Sequence, residues 1–184
     1  MRVDAFQYEL PPELIAQRPA EDRELARLMR VPPGGAFEHR RVSELPELLP
    51  PGALVVVNDT RVIPARLLGH KRETGGRVEV LLVRRVGVRE LEVAPGDVRA
   101  AEVWRALGKA SKPLKFGADV EVTRRGVEAG PPSLVVRLLG RADEDGLLEV
   151  ALWSPSGEPL DAAVRACGHV PLPPYIKRED GPDD

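Results

Sequence analysis

The sequence predicts an α+β protein, mostly β, in which a closed antiparallel β-barrel is inserted into a partial α/β domain. Between residues 62 and 153 apolar and polar side chains alternate, turn residues punctuate the pattern, and no helical stretch intervenes. Just before that region, Leu54-Val55-Val56-Val57 is an unbroken apolar run of the kind that forms a strand buried on both faces. After it, Leu160, Val164 and Cys167 recur at helical spacing. The expected division is residues 1–61 as the first segment of the α/β domain, 62–153 as the barrel, and 154–184 as the return to the α/β domain.

In chain order, Pro11-Pro12-Glu13-Leu14-Ile15-Ala16-Gln17 sets Pro and an acid in a first helical turn, and Arg18-Pro19 ends it. Ser43 suits the cap of a second short helix, Glu44 to Leu49, closed by Pro50-Pro51-Gly52. The buried-type strand Leu54–Val57 follows. Barrel strands are expected around Val78/Val80/Leu82, Leu91/Val93, Ala101–Leu107, Val120/Val122, Leu134–Leu139 and Leu147–Trp153. Thr74-Gly75-Gly76, Pro95-Gly96-Asp97, Phe116-Gly117-Ala118-Asp119 and Gly130-Pro131-Pro132 supply turns, and Arg141–Asp145 suits an exposed hairpin tip. The helix around Leu160 ends at Gly168, a C′ candidate. Beyond it His169-Val170-Pro171-Leu172-Pro173-Pro174-Tyr175-Ile176 is too rich in Pro for helix or central strand, and an acidic tail follows.

Composition narrows the function classes. With 184 residues, 42% of them hydrophobic and 30% charged, the chain is long enough for a core and is not of disordered type. A single Cys excludes an internal disulfide framework. No apolar run approaches the roughly 18 residues of a membrane-spanning helix, and Met1-Arg2-Val3-Asp4 leads into no signal-peptide core, so a cytoplasmic protein is expected. Arg dominates Lys and Asn is nearly absent, which suits a thermophile or a GC-rich genome. The net charge of −2 is unevenly spread. Residues 61–125 hold 15 basic and 8 acidic side chains, net +7, between acidic ends. That surface suits a polyanion such as RNA, or is simply a solvated Arg-rich sheet face.

No G-x-G-x-x-G or G-x-x-x-x-G-K-[ST] segment occurs, and His39, His70 and His169 have no ligand-spaced Cys or carboxylate, so no metal is expected. The chemistry-bearing stretch is Asn58-Asp59-Thr60-Arg61-Val62-Ile63-Pro64-Ala65-Arg66, at the carboxyl end of the expected strand, where α/β sheets bind ligands. Asn58, Asp59 and Thr60 can bond a small polar ligand or merely satisfy the turn backbone. Arg61 and Arg66 can clamp a carboxylate or phosphate, or pair with Glu. Lys109, Lys112 and Lys115 beside Trp104 and Arg105 read as a phosphate-contacting patch or a solvated loop. His169 and Tyr175 read as site residues or as Pro-rich packing, and Cys167 reads as a buried helix residue.

Four of these segments carry a resemblance. Phe6-x-Tyr8-Glu9-Leu10-Pro11-Pro12-Glu13-Leu14-Ile15-Ala16-Gln17-Arg18-Pro19, the Asn58–Arg66 stretch, Thr74-Gly75-Gly76-x-Val78-Glu79-Val80-Leu81-Leu82, and His169–Ile176 with Arg178 resemble, in order, the S-adenosylmethionine:tRNA ribosyltransferase-isomerases of queuosine biosynthesis. The resemblance implies transfer of the ribosyl part of S-adenosylmethionine to 7-aminomethyl-7-deazaguanine at the tRNA wobble position. Adenine and methionine leave and epoxyqueuosine forms. It implies S-adenosylmethionine as co-substrate, tRNA as partner, no membrane and a monomeric full-length enzyme. It points to Asp59 as the base, with His169 second, and to Arg61 or Arg66 on the methionine carboxylate or a tRNA phosphate. Asn58, Thr60 and Tyr175 would then line the substrate site, and Lys109, Lys112 and Lys115 would contact tRNA. Members of that family continue into a Pro-Thr-Ala-Gly-Leu-His-Phe segment and further α/β structure absent here, so a tRNA-docking fragment without chemistry, or half of a two-chain assembly, remains the alternative.

Overall fold

Side-chain alternation organises most of the molecule. The computed structural model describes residues 2–142, 146–178 and 180–181, and its regular elements are mostly strands with a few short helices. The chain divides into two units: Met1–Thr60 with Pro173–Glu179, and Arg61–Leu172 with Asp180–Asp184.

In the first unit, strands β1 (Arg27–Arg30) and β2 (Glu38–Arg41) form an antiparallel hairpin running from Arg27↔Arg41 to Arg30↔Glu38. The hairpin was not expected, because its Arg-rich strands carry no apolar alternation. Backbone pairing holds it, with one facing ion pair, Arg30 3.1 Å from Glu38, at one end. The helix expected over Pro11–Gln17 is only a 3₁₀ turn, Pro12–Leu14. So short a segment cannot repay helix nucleation, and none of its residues is buried. The second expected helix is a 3₁₀ turn, Val42–Glu44, running into α1 (Leu45–Leu48). Glu44 caps it, accepting from the Arg41 N–H at 2.7 Å, where Ser43 was the expected cap. Leu54–Val57 corrects the reading most. It belongs to no strand, and Leu54 and Val56 are 90% and 86% exposed. An apolar run becomes a buried strand only when neighbours supply hydrogen bonds on both sides; none among the described residues does.

In the second unit, β3 (Arg66–Lys71), β4 (Arg77–Ala94), β5 (Asp97–Ala110), β6 (Asp119–Val122), β7 (Leu134–Arg141) and β8 (Leu148–Trp153) pair antiparallel in the order β3-β4-β5-β8-β7-β6. β6 also pairs with β3, through His70↔Glu121 and Lys71↔Val120, so each strand has a bonded neighbour on both sides. Gly69 permits that approach: a Cβ there would stand 2.5 Å from the Glu121 carbonyl oxygen. The inward residues Leu67, Val80, Val122, Leu134, Val136, Val150 and Leu152 are almost fully buried in one cluster. Burying each such side chain contributes roughly 1.5–3 kcal/mol.

The strands expected around residues 78–82 and 91–93 are one continuous strand, β4. Register shifts at Leu82/Arg84, Arg85/Gly87 and Glu92/Ala94 mark where the alternation looked broken. Leu91 and Val93 pack on a second cluster of Ala101, Val135, Ala151 and Trp153. Arg137 ties this region together. It donates to the Glu92 and Val93 carbonyls, lies 5.1 Å over the Trp153 ring, and donates from Nε to Asp119 at 2.7 Å. Asp119, whose side chain is 7% exposed, also accepts from Arg72 at 2.6 Å, so its buried charge is compensated twice. Helix α2 (Leu160–Cys167) presents Ala163 and Cys167 to the main cluster. Of the expected hairpin tip Arg141–Asp145, residues 143–145 lie outside the described residues, as do Glu179 and residues 182–184 of the acidic tail.

Candidate functional site

The end of α2 delivers His169 to the start of β3. Gly168 donates its N–H to the Val164 carbonyl at 2.7 Å with an extended backbone, φ −80° and ψ 156°. Its role is therefore not the left-handed C′ turn the sequence suggested. A Cβ at this position would lie 1.8 Å from the Pro64 carbonyl oxygen, so Gly is required by close backbone approach. The next residue then forms an antiparallel bridge. His169 N–H donates to the Arg66 carbonyl at 2.8 Å, and Arg66 N–H donates to the His169 carbonyl at 3.1 Å. Two candidates from distant parts of the sequence are thereby side by side.

The side chains around the bridge pair off. Arg66 donates to Glu79 at 2.9 Å. That bond outweighs partial burial, keeps the guanidinium charged more firmly than usual and holds the Glu79 carboxyl below its ordinary range. His169 Nδ1 lies 2.7 Å from Asp180 Oδ1. The other Asp180 oxygen accepts from the Val170 N–H at 3.0 Å and lies 3.6 Å from Arg125. The Asp180 side chain is 4% exposed. Burial pushes its pKa up, but the bonds from His169 and Val170 outweigh burial and hold the carboxyl below its usual value. Nothing in the sequence singled out Asp180, which lay in a tail read as merely acidic. Cys167, beside this cluster in sequence, is buried, and burial pushes its thiol up, away from nucleophilic use.

The other candidates are arranged differently. Asn58 Oδ1 accepts from both the Thr60 N–H, at 2.9 Å, and the Thr60 hydroxyl, at 2.6 Å. That is an Asx turn, and Asn58, Asp59, Thr60 and Arg61 are all exposed. Tyr175 is 56% exposed. Its segment is fastened by Gln17, whose amide donates to the Tyr175 carbonyl while its side-chain oxygen accepts from the Lys177 N–H at 2.7 Å. Arg178 Nε adds a bond to the Gln17 carbonyl. Lys109 lies near the end of β5 and not in a loop. Lys112 and Lys115, with Lys71, Thr74 and the acids Glu73 and Asp119, line a cleft of about 520 Å³. Lys71 Nζ donates to the Lys112 and Pro113 carbonyls, both at 3.0 Å, fixing that loop. Among the described residues no group of His, Cys, Asp and Glu could hold a metal ion, and no helix is long and apolar enough to cross a membrane.

Residues 3–184 match a family model described as queuosine biosynthesis protein. Curated relatives named S-adenosylmethionine:tRNA ribosyltransferase-isomerase agree with it. The protein of Sorangium cellulosum (strain So ce56) is 46% identical over 193 residues, covering 100% of this chain and 50% of the relative. Those of Azorhizobium caulinodans and Anaeromyxobacter sp. (strain Fw109-5) are 44% and 43% identical, covering 100% and 97% of this chain and 48% and 45% of the relatives. The chain thus spans about half the length of the curated relatives it matches.

Proposed function

We propose, from the premise that this chain belongs to the family of queuosine biosynthesis proteins, that it supplies the amino-terminal half of an S-adenosylmethionine:tRNA ribosyltransferase-isomerase. The observation that carries this reading is 46% identity across the whole chain to a relative of that name. The reaction consumes S-adenosylmethionine and tRNA bearing 7-aminomethyl-7-deazaguanine at the wobble position, and releases adenine and methionine as epoxyqueuosine forms. It requires a base to take the proton from the carbon beside the sulfonium, a hold on the methionine carboxylate and a grip on tRNA phosphates.

His169 is the base best supported by geometry, since it sits in a fixed bridge with a charged partner on one ring nitrogen. Asp59 is the second candidate, and its exposed turn offers no such fixing. Arg66, already held by Glu79, or Arg61, is assigned to the methionine carboxylate or a tRNA phosphate, with Asn58, Thr60 and Tyr175 as lining. Lys109, Lys112 and Lys115 are assigned to tRNA, a reading that the cleft supports for Lys112 and Lys115. The reading takes the six-stranded ring as a closed barrel inserted between the flanks of an α/β domain, with Leu54–Val57 as a strand awaiting partners from the rest of the whole protein. It also takes the enzyme as cytoplasmic, monomeric and metal-free.

The cleft favours a second reading, tRNA docking without chemistry in these residues. Adenine release from S-adenosylmethionine in the presence of the modified tRNA separates the two. Release by the complete enzyme, lost on His169→Gln, supports the first. Unchanged turnover with weakened tRNA binding on lysine removal supports the second.

A further inference from the structure

A carboxylate taken out of water must be compensated, and the Asp180 side chain, 4% exposed, uses both oxygens. Oδ1 takes the contact to His169 Nδ1 at 2.7 Å, and Oδ2 takes the Val170 N–H at 3.0 Å with Arg125 at 3.6 Å. The nearby Arg66 makes its side-chain hydrogen bond to Glu79, at 2.9 Å, and faces Asp180 only through its charge. An ionised carboxylate only accepts hydrogen bonds, so the proton of the neutral imidazole must sit on Nδ1. Nε2 then carries the lone pair, and among the described residues it has no hydrogen-bond partner. The ring is 27% exposed, so it is reachable.

We propose that Asp180 is a positioning residue for His169, holding the proton on Nδ1 so that Nε2 keeps its lone pair free to accept a proton from the substrate. This rests on the reading of His169 as the base given above. The backbone of His169 is fixed by its bridge to Arg66, which leaves rotation of the ring and choice of tautomer as its remaining freedoms. Asp180 removes both. When Nε2 takes a proton the ring becomes an imidazolium, its positive charge lies against the Asp180 carboxylate, and no other group changes its proton count. Arg66 is already paired with Glu79, and Arg125 stands off at 3.6 Å from the other Asp180 oxygen, so among the described residues the new cation is met by the acid in direct contact with the ring.

The test has a spectroscopic arm and a kinetic arm. In the protein labelled with ¹⁵N-histidine, His169, assigned by the signal lost in His169→Gln, is expected as the Nδ1–H tautomer. Asp180→Asn is expected to shift it toward the Nε2–H form. An Nε2–H tautomer in the unsubstituted protein overturns the proposal without any variant having to fold. In the complete enzyme carrying these residues, Asp180→Asn is expected to lower kcat for adenine release about tenfold to a hundredfold, part of the span expected for general base catalysis. KM for S-adenosylmethionine should stay within about twofold, since only a proton-transfer contribution is removed. On a His169→Gln background the same substitution should cost nothing further, because its effect runs through His169. Full kcat in Asp180→Asn, or an equal loss on both backgrounds, overturns the proposal. A complete enzyme without adenine release defeats the reading of the function, while the tautomer still decides the role of Asp180.

Discussion

Replacing Gly168 by Ala should loosen the bridge by which the chain after α2 returns to the start of β3. The backbone torsions, φ −80° and ψ 156°, suit alanine, so no torsional strain arises. The effect is steric alone. The new Cβ would stand 1.8 Å from the Pro64 oxygen and 2.7 Å from the Val164 oxygen, where ordinary contact begins at 3.4 Å. The Pro64 oxygen must therefore retreat by 3.4 − 1.8 = 1.6 Å, and it is backbone, two residues before the bridged Arg66. Forced backbone shifts of this kind cost about 1–3 kcal/mol. Alanine restricts the unfolded chain and returns only about 0.4–1 kcal/mol, so the clash wins. The thermal midpoint should fall by about 2–4 °C for each kcal/mol lost in a domain of this size. Gly87→Ala is the control, since a Cβ there meets nothing within 4 Å. Urea and thermal unfolding of both variants measure the difference. A Gly168→Ala protein as stable as Gly87→Ala, with the His169–Arg66 amides equally protected from exchange, would refute the reasoning.

Stability should also depend on acid in a defined direction. The Asp180 and Glu79 carboxyls are held below their ordinary values, so their contribution is complete above the ordinary carboxyl range near about pH 4 and is lost as pH falls through the lowered folded values. The groups facing Asp180 are His169, Val170 N–H and Arg125, with Arg66 nearby. Urea midpoints across that range should fall less steeply in Asp180→Asn, and an identical slope would contradict the assignment. Leu152→Ala, at a site 1% exposed, should cost about 2–5 kcal/mol, whereas Leu54→Ala, at a site 90% exposed, should stay within about 0.5 kcal/mol in this chain; chemical denaturation compares them directly. Joint replacement of Lys112 and Lys115 by Ala should weaken tRNA binding and reduce its salt dependence by about one unit of log–log slope per lost phosphate contact. An unchanged slope would move the tRNA surface elsewhere.

Much of the ring was legible because period-two alternation and turn residues are local signals. Val78/Val80, Val120/Val122 and Leu134–Leu139 all fall on strands. What escaped was set by partners distant in sequence. The first ring strand, Arg66–Lys71, holds Gly69 and His70 and takes its definition from β4 and β6. Leu54–Val57 has the composition of a buried strand but none of the hydrogen-bonding neighbours that would make it one. Of the site, Arg66 and His169 were visible as residue types in suggestive segments, while their adjacency was not, since nothing local encodes a bridge across the whole ring. Asp180 was hidden in an acidic run of sequence, because burial of a carboxylate is decided by the imidazole and N–H it meets. Gln17 was missed for the same reason: its importance lies in fastening Tyr175 and Lys177.

The central claim is that His169, in its bridge to Arg66, handles the proton of the first chemical step. Single-turnover adenine release by the complete enzyme, with His169→Gln beside Asp59→Asn, tests it most directly. The expected result is a loss of about 10²–10⁴-fold for His169→Gln and a rate within a few-fold of the parent for Asp59→Asn. Normal release by His169→Gln, with the loss appearing in Asp59→Asn, would contradict it and move the chemistry to the exposed Asn58–Thr60 turn.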